Sequence, residues 1–282
     1  MSAPLRLWLL GAGIAASPSP AMQEAAMTAM GVEGWYRALD VDAAGFREAL
    51  ARLRSGEADG ANVTIPYKRA AAAACDRLEG DARALGAVNT LVGRGGELTG
   101  HNTDAAGLEA ALRHQRLWPA PGQGGFDAVV MGAGGAAAAA GLVLLRAGAA
   151  RLTVAARRRQ AAEETASLLG ALAAGGAAVT GASLDDLGRL LPGAGWLVNA
   201  TPAGAAELGV EVTMLHPSAV VVDLRYRPRP VDLAAAASAA GLRAADGLEM
   251  LLRQGMDSLR LWSGRPPAVD AARRALHQAV GA

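Results

Sequence analysis

The sequence is poor in several residue types, and each shortage narrows the class of protein. Its 282 residues include a single cysteine, Cys75, which excludes an intrachain disulfide and fits a reducing compartment, so we expect a cytoplasmic protein. Aromatic residues account for only 4% of the chain, yet hydrophobic residues reach 52%, which excludes a disordered protein. The length predicts about two domains, each with its own core.

Charge of one sign and long apolar runs are also lacking. Lysine and arginine together number 27 against 26 acidic residues, so the formal net charge is +1. No basic block stands out, so nucleic-acid binding is not expected and a small molecule is the expected partner. The most apolar stretch, residues 128–145, is interrupted by glycines, which favours a strand, a turn and a helix over a membrane span. Neither a metal site nor a membrane partner is predicted.

Lysine occurs once in the chain. Of the 27 basic residues only Lys68 is a lysine, in the segment Asn-Val-Thr-Ile-Pro-Tyr-Lys that ends there. Arginine stays charged at any accessible pH, whereas an ammonium is compact and its pKa shifts readily. The choice of lysine therefore indicates proton transfer or polarisation of a substrate. The alternative is an ordinary surface lysine left by chance.

Asparagine is nearly as rare, and each occurrence has a threonine within the next two positions. The four asparagines are Asn62, Asn89, Asn102 and Asn199. Amide and hydroxyl groups supply the neutral donors and acceptors that a polyhydroxylated ligand or a nicotinamide ribose requires. Turns and helix caps use the same residues, and this alternative stays open.

Apolar runs of strand length alternate with longer helical stretches. The predicted strands are 5–10, 35–41, 61–63, 88–92, 128–131, 152–155, 196–198 and 220–224, and the clearest predicted helices are 21–30, 44–53, 105–117, 136–147, 160–172 and 248–262. This alternation predicts an α/β protein with mainly parallel sheets. The boundary between domains is expected after the helix that follows Asp104, at the glycine- and proline-rich loop 119–125.

A strand, a glycine turn and an alanine-rich helix open the second half. The turn reads Gly132-Ala133-Gly134-Gly135-Ala136, which is the dinucleotide-binding fingerprint in its expected context. Glycines let the backbone approach a pyrophosphate, and the helix N-terminus supplies N–H donors. We therefore predict a bound dinucleotide.

The residues after the next strand indicate which dinucleotide. An NAD site usually places a carboxylate there for the ribose 2′-hydroxyl, but this chain has Ala156 followed by Arg157, Arg158 and Arg159. Guanidinium groups suit a 2′-phosphate, so NADP(H) is favoured over NAD(H). The alternative is that these arginines are simply the solvated start of a helix.

Seven motifs, in order and at family-like spacing, resemble the shikimate dehydrogenase family over nearly the whole chain. They lie at residues 17–22, 62–68, 86–90, 102–104, 132–136, 199–202 and 246–254. The resemblance implies an N-terminal α/β substrate domain over residues 1–106, to which a helical segment at 247–282 returns. It further implies a Rossmann-type NADP-binding domain with a parallel sheet over residues 107–246, and an active site in the cleft between the two domains. The implied reaction, in aromatic amino acid biosynthesis, is the reversible NADPH-dependent reduction of 3-dehydroshikimate to shikimate.

The resemblance also implies roles for individual residues. Lys68 and Asp104 would be the catalytic pair. The residues implied to bind substrate are Ser17 and Ser19 at its carboxylate, Thr64, Asn89, Asp104 and Gln254 at its ring hydroxyls, and Tyr226 nearby. The residues implied to bind cofactor are Gly132, Ala133, Gly134, Gly135 and Ala136, with Arg157, Arg158, Asn199, Thr201 and Gly247. Ser17, Ser19 and Asp104 could instead be helix caps.

Departures from the family pattern leave the substrate open. The chain has Gln23 and Glu24 where the family has histidine and asparagine, and Val231 where it has threonine. Quinate, an aminoshikimate or another hydroxylated ring acid are therefore alternatives to shikimate. A quinate or shikimate dehydrogenase that uses NAD is one alternative function, and a catalytically weak protein that binds a ring acid or a nucleotide is another. A monomer or a homodimer is expected.

Overall fold

The computed structural model describes residues 3–120 and 122–281. Pro121, within the loop predicted at 119–125, lies outside the described residues. The chain folds into two compact units: the first runs up to Gly107 and resumes at Leu252, and the second is Leu108–Leu251. The chain returns from the second unit to the first after Leu251, five residues later than the boundary predicted after residue 246. This return lies inside the helix Leu248–Ser263 and not at its start.

Between residues 3 and 120, as far as the structure describes the chain, there are six strands and five helices. They are β1 (Leu5–Gly11), α1 (Ser19–Ala29), β2 (Gly34–Asp40), α2 (Ala43–Arg54), β3 (Gly60–Val63), α3 (Lys68–Ala74), β4 (Arg77–Leu78), α4 (Asp81–Leu85), β5 (Thr90–Arg94), β6 (Glu97–His101) and α5 (Asp104–His114).

The first sheet has the strand order β2-β1-β3-β5-β6-β4 and is mixed. β1 is parallel to β2 and β3, whereas β5 is antiparallel to both β3 and β6. The prediction of mainly parallel sheets is confirmed, and β5 is the antiparallel exception in this sheet. The cause is a tight hairpin at Gly95 and Gly96, both at positive φ, which folds β6 back onto β5.

One face of this sheet carries the core of the first unit. Leu10, Val63, Leu91 and Leu98 are buried there with the apolar side of α2, to which Phe46 belongs. Side chains alternate across a strand, so the neighbouring residues of β5 and β6 point to the opposite face. The core fixes the register of the strands and hence the place at which each one ends.

The remaining elements begin at residue 127. They are β7 (Asp127–Met131), α6 (Gly135–Arg146), β8 (Arg151–Ala156), α7 (Arg159–Leu172), β9 (Ala178–Ser183), α8 (Leu187–Leu190), β10 (Trp196–Asn199), β11 (Val220–Asp223), α9 (Asp232–Ala239), β12 (Arg243–Asp246), α10 (Leu248–Ser263) and α11 (Val269–Val280).

The second sheet has the strand order β12-β11-β10-β7-β8-β9, and all of its pairings are parallel. The order reverses between β7 and β10, which is the doubly wound arrangement of Rossmann-type domains. Here the predicted parallel sheet is confirmed. A parallel sheet places the carboxyl ends of all its strands at one edge, so the segments that follow β7, β8, β10, β11 and β12 share that edge.

Among the described residues, no helix combines the length and apolarity needed to cross a membrane. The apolar stretch at 128–145 consists of β7, the glycine turn and α6.

Candidate active site

Several chain segments of the first unit leave its sheet at a single edge. β1 and β3 are parallel neighbours, with Leu10 beside Val63. β5 runs the opposite way, so its first residue, Thr90, lies beside Asn62 at the end of β3. β6 in turn ends with His101 beside Thr90. The residues that follow β1, β3 and β6 therefore converge with those that precede β5.

Lys68 and Asp104 meet at this edge, each at the first position of a helix. Lys68 Nζ donates a hydrogen bond to Asp104 Oδ2 at 2.5 Å, and the two side chains are only 13% and 6% exposed. The other carboxylate oxygen, Oδ1, accepts from Asn89 Nδ2 at 2.9 Å. Both oxygens of Asp104 thus have a side-chain partner, and among the described residues no backbone N–H donates to them. Within the described residues Nζ has no hydrogen-bond partner other than Asp104, so two of its three N–H donors can serve a ligand.

Asn89 is the centre of a buried network behind this pair. Its Nδ2 donates to Thr103 Oγ1 at 2.9 Å and to Gln254 Oε1 at 3.2 Å, in addition to Asp104. Its Oδ1 accepts from the backbone N–H of Thr103 at 2.8 Å and from the hydroxyl of Thr90 at 3.0 Å. These bonds fix the Asp104 carboxylate in one orientation before any ligand binds.

Gln254 reaches this network from α10. The approach depends on Gly107 in α5, where a Cβ would lie 2.7 Å from the backbone nitrogen of Gln254. Such a distance is too short for any side chain, so glycine at position 107 permits the close crossing of α5 and α10. The side chains predicted separately as Lys68, Asp104, Asn89 and Gln254 are in this way joined by hydrogen bonds.

Ser17, Ser19 and Thr64 lie at the same sheet edge. Ser17 and Ser19 follow β1, and Thr64 follows β3. No side chain caps α1, and Ser17 Oγ instead accepts from the backbone N–H of Ser19 at 3.3 Å. In the described part of the chain the hydroxyls of Ser19 and Thr64 form no hydrogen bond, so both are available to a ligand.

Three residues without a predicted role in the site support Asn89. Asn62 Nδ2 donates to the backbone oxygen of Asn89 at 3.0 Å and to Ser258 Oγ at 2.9 Å, and Tyr36 OH donates to Asn62 Oδ1 at 2.8 Å. Burial raises the pKa of the Tyr36 phenol, so it stays a neutral donor. The rarity of asparagine was the available signal at Asn62, whereas no local pattern marks Tyr36 or Ser258.

The glycine turn of the second unit has the geometry of a dinucleotide site. Gly132 has φ +115°, and a Cβ there would lie 3.0 Å from the backbone oxygen of Ala200. Gly134 is exposed, with open space where its Cβ would be, and no side chain caps the N-terminus of α6. A pyrophosphate can thus reach the helix N–H groups without a clash, so the turn fits the predicted nucleotide.

The three arginines after β8 differ in their surroundings. Arg159 Nη2 pairs with Asp186 at 2.9 Å. Arg157 and Arg158 are exposed, and neither guanidinium group has a hydrogen bond or an ion pair with any described residue. The two guanidinium groups predicted to hold a 2′-phosphate are therefore the two that remain available.

Asn199, the last residue of β10, holds the turn that contains Thr201. The Asn199 side chain is 0% exposed; its Oδ1 accepts from Thr201 Oγ1 at 2.7 Å, and its Nδ2 donates to Ala203 O at 3.0 Å. The Asn199 amide thus holds the loop that carries Thr201. Its place beside the nicotinamide stays a prediction.

Gly247 and Tyr226 lie at the same edge of the second sheet. Gly247 follows β12, and its N–H donates to the backbone oxygen of Arg225 at 2.9 Å. A Cβ at this position would be 2.0 Å from the backbone oxygen of Leu224, so only glycine fits. Tyr226 follows β11 and is half-buried.

Comparison with known proteins identifies the family. Residues 9–91 match the family model described as the shikimate dehydrogenase substrate binding domain, and residues 247–277 match the shikimate 5′-dehydrogenase C-terminal domain. The chain is 42% identical to the shikimate dehydrogenase (NADP(+)) of Methylobacterium radiotolerans over 270 residues, which cover 94% of this chain and 93% of the relative. It belongs to the shikimate dehydrogenase family.

Solved structures of similar proteins share the fold of this chain over almost its full length. Shikimate 5-dehydrogenase from Thermus thermophilus, in complex with NADP(H) and shikimate, is 34% identical with a TM-score of 0.82, covering 98% of this chain and 99% of its own. Quinate dehydrogenase from Corynebacterium glutamicum, in complex with NAD, is 31% identical with a TM-score of 0.85, covering 98% and 99%. The fold alone therefore selects neither the ring acid nor the nucleotide.

One departure of this shikimate dehydrogenase family member from the expected pattern lies directly behind Gln254. Gln23, at the position where the resemblance implies histidine, is completely buried in α1, and its Nε2 donates to the backbone oxygen of Gly255 at 2.9 Å. Among the buried side-chain atoms of the described residues, its Oε1 is the one without a partner. Gln23 thus fixes the turn of α10 that carries Gln254.

Proposed function

We propose that this chain catalyses the reversible, NADP(H)-dependent interconversion of 3-dehydroshikimate and shikimate. The observation that carries the proposal is the buried Lys68–Asp104 pair, oriented by Asn89 in the unit that matches the substrate-binding family model. Family membership and the NADP(+) dependence in the name of the M. radiotolerans relative support it.

The pair supplies the proton chemistry of the reaction. The bound nicotinamide supplies the hydride to the ring carbonyl carbon, or accepts it in the reverse direction. Lys68 Nζ, with its two remaining N–H groups, polarises the carbonyl oxygen and gives it a proton as the carbon–oxygen double bond becomes single. Asp104 keeps the ammonium in place through its 2.5 Å contact and accepts from a ring hydroxyl. In oxidation the same proton returns to Lys68.

The other predicted residues bind and orient the ligands. The free hydroxyls at Ser19 and Thr64, with Ser17, face the substrate carboxylate and ring, and Asn89, Gln254 and Tyr226 add further polar contacts. We assign substrate binding to residues 1–106 with 247–282, and nucleotide binding to residues 107–246. In the latter segment residues 132–136 hold the pyrophosphate, Arg157 and Arg158 hold the 2′-phosphate, and Thr201 lines the nicotinamide side. Gly247, the first residue of the segment 247–282, lines the nicotinamide side as well.

The proposal extends to the setting of the enzyme. Cys75 is a free thiol with no second cysteine to pair with, which suits the cytoplasm. We propose that the chain acts there as a monomer or a homodimer, with a hydroxylated ring acid as its one substrate class.

Initial rates with shikimate or quinate, each with NADP⁺ or NAD⁺ at saturating concentration, test this function. We expect turnover to be fastest with shikimate and NADP⁺. Faster turnover with quinate and NAD⁺ would replace the proposal by a quinate dehydrogenase. A folded chain that binds NADPH without turnover in any combination would instead indicate a binding protein.

A Lys68→Ala variant tests the proton donor. We expect kcat to fall by roughly 10²- to 10⁴-fold, the usual contribution of general acid–base catalysis, while NADPH binding stays unchanged. Arg69→Ala, which alters the exposed next residue, is the matched control and should keep full turnover. Lys68→Arg retains the charge beside buried Asp104 and separates loss of proton transfer from loss of folding. Unchanged kcat in Lys68→Ala would refute the role.

A further inference from the structure

Arg225, to which the sequence analysis gave no role, lies between two carboxylates at the end of β11. Its Nη2 donates to Asp223 Oδ2 at 2.7 Å, and the same guanidinium also bonds to Asp232, the first residue of α9. Asp223 is 0% exposed, whereas the Asp232 side chain is 49% exposed. The hydrogen bond with Asp223 is the largest cause of the raised pKa of Arg225, which keeps its charge.

Each carboxylate holds a part of the segment that follows β10. Asp223 Oδ1 accepts from Asn199 Nδ2 at 3.2 Å, at the start of this segment. Asp232 Oδ2 accepts from the backbone N–H of Ala205 at 2.9 Å, at its other end. Gly204 leaves room for this contact, because a Cβ there would lie 2.6 Å from Asp232 Oδ2. The guanidinium therefore fixes both ends of the loop 199–205 through its two partners.

The backbone of Arg225 holds a second segment at the same sheet edge. Its carbonyl oxygen accepts from the N–H of Gly247 at 2.9 Å, and the N–H of Leu224 donates to the carbonyl oxygen of Asn199 at 2.8 Å. The loop 199–205 in turn lies close to the glycine turn, since a Cβ at Gly132 would be only 3.0 Å from the backbone oxygen of Ala200. One residue thus connects the segments after β10 and β12, next to the turn that fits a pyrophosphate.

We infer that Arg225 is a positioning residue of the dinucleotide site, which holds the loop 199–205 and Gly247 in the arrangement that binds NADP(H). The inference rests on the proposed function. Arginine suits the task because its planar fork can bond to two carboxylates at once, which a lysine ammonium on a flexible stem does less well. In this role Arg225 does not contact the ligand. It acts through the backbone of the loop 199–205 and of Gly247, which it holds in place.

Asp232→Ala is the sharpest test, since it releases the loop while the ion pair of Arg225 with buried Asp223 stays intact. In the same unit, Asp127→Ala removes the carboxylate partner of Arg151 at the opposite edge of the sheet and is the matched control. We expect the NADPH dissociation constant, measured by fluorescence titration, to rise roughly tenfold in Asp232→Ala, the order for one hydrogen bond to a charged group. In Asp127→Ala it should stay unchanged.

Two further readouts separate positioning from general stability. In the ligand-free chain, backbone amides of residues 200–206 should exchange hydrogen at least several-fold faster in Asp232→Ala than in Asp127→Ala. Arg225→Lys, which keeps the charge beside Asp223 but not the fork, should show an intermediate rise of the NADPH dissociation constant. The KM for shikimate at saturating NADP⁺ should stay the same in all three variants.

The outcomes distinguish this inference from the proposed function. An unaltered chain that binds no NADPH would overturn the proposed function and this inference with it. An unaltered chain that binds NADPH, beside an Asp232→Ala variant with the same dissociation constant and the same exchange rates, would overturn the inference alone.

Discussion

Asparagine shows at the residue scale how one side chain type serves structure and chemistry together. All four asparagines are buried, and each one bonds to a backbone group of another segment or turn. Asn89 alone among them also bonds to the carboxylate of Asp104, the partner of Lys68. The asparagines that precede threonines in the sequence thus all form buried internal contacts. Their link to function comes from the loops that those contacts hold.

The arginines after β8 allow a prediction about nucleotide choice. Arg157→Ala should raise the KM for NADP⁺ by roughly 10- to 100-fold, because a hydrogen bond to a charged group contributes about 1.5–3 kcal/mol. The KM for NAD⁺, which lacks the 2′-phosphate, should change little. Arg159→Ala is the control, since Arg159 already pairs with Asp186. If steady-state assays of Arg157→Ala show the same rise in KM for NADP⁺ and NAD⁺, Arg157 does not contact the 2′-phosphate.

Cys75 allows a prediction about pH. Burial raises the pKa of the thiol to about 11, with the charge of Asp76 as a second cause. At pH 8 only about one thiol in 1,000 is then a thiolate, the reactive form, so alkylation by iodoacetamide should be far slower than for a free cysteine. The rate should rise about tenfold per pH unit up to pH 10. Mass spectrometry of the native and the urea-unfolded chain measures both rates, and equal rates at pH 8 would contradict the burial.

At the scale of elements, strong apolar patterns in the sequence predicted the strands correctly. The central strands β7, β8, β10 and β11 were all predicted, because each is a nearly continuous apolar run buried between helices. The edge strands β9 and β12 of the same sheet were missed. Their sequences, Ala-Val-Thr-Gly-Ala-Ser and Arg-Ala-Ala-Asp, bury less apolar surface and carry a weaker pattern.

In the candidate site, too, residues of one short sequence motif were predicted, whereas contacts between residues far apart in the sequence were not. Lys68, Asp104 and the glycine turn could be predicted because the residues of each motif are close in sequence. Ser258 is 196 residues from its partner Asn62, and the crossing at Gly107 depends on the packing of α5 against α10. Such contacts leave no periodic signal, so only the folded structure brings them together.

The C-terminal half of α10 supports the substrate side, which leads to a prediction about Trp262. This side chain is buried, and its Nε1 donates to Leu91 O at 2.8 Å. Gly60 lies next to the indole, and a Cβ at position 60 would be only 2.1 Å from Trp262 Nε1. Trp262→Ala should lower the free energy of unfolding by about 3–5 kcal/mol, as for other buried tryptophans. Because α10 also carries Gln254, the KM for shikimate should rise.

Urea unfolding followed by circular dichroism measures the stability of this variant. Trp118→Ala is the control, since Trp118 is half-buried and stacks under Arg113 instead of filling a core. A Trp262→Ala variant no less stable than the Trp118→Ala control would show that α10 is held by other contacts.

For the whole molecule, the charge balance determines how a nucleotide can be attracted. The formal net charge is +1, so the chain as a whole exerts little pull on an anion, and local groups must supply it. Arg157 and Arg158 are exposed local cations at the nucleotide edge of the second sheet. Discrimination between NADP⁺ and NAD⁺ should therefore be local and sensitive to salt.

Thermal unfolding in the presence of each nucleotide tests whether the exposed arginines discriminate between NADP⁺ and NAD⁺. A ligand at about 100 times its dissociation constant adds about 2.7 kcal/mol to the folded state, which raises Tm by several degrees for a unit of this size. At one equal concentration NADP⁺ should raise Tm more than NAD⁺, because only NADP⁺ has the 2′-phosphate. Added salt should narrow the difference, and Arg157→Ala should reduce the NADP⁺ shift towards that of NAD⁺. If both nucleotides raise Tm equally in the unaltered chain, the exposed arginines do not select the cofactor.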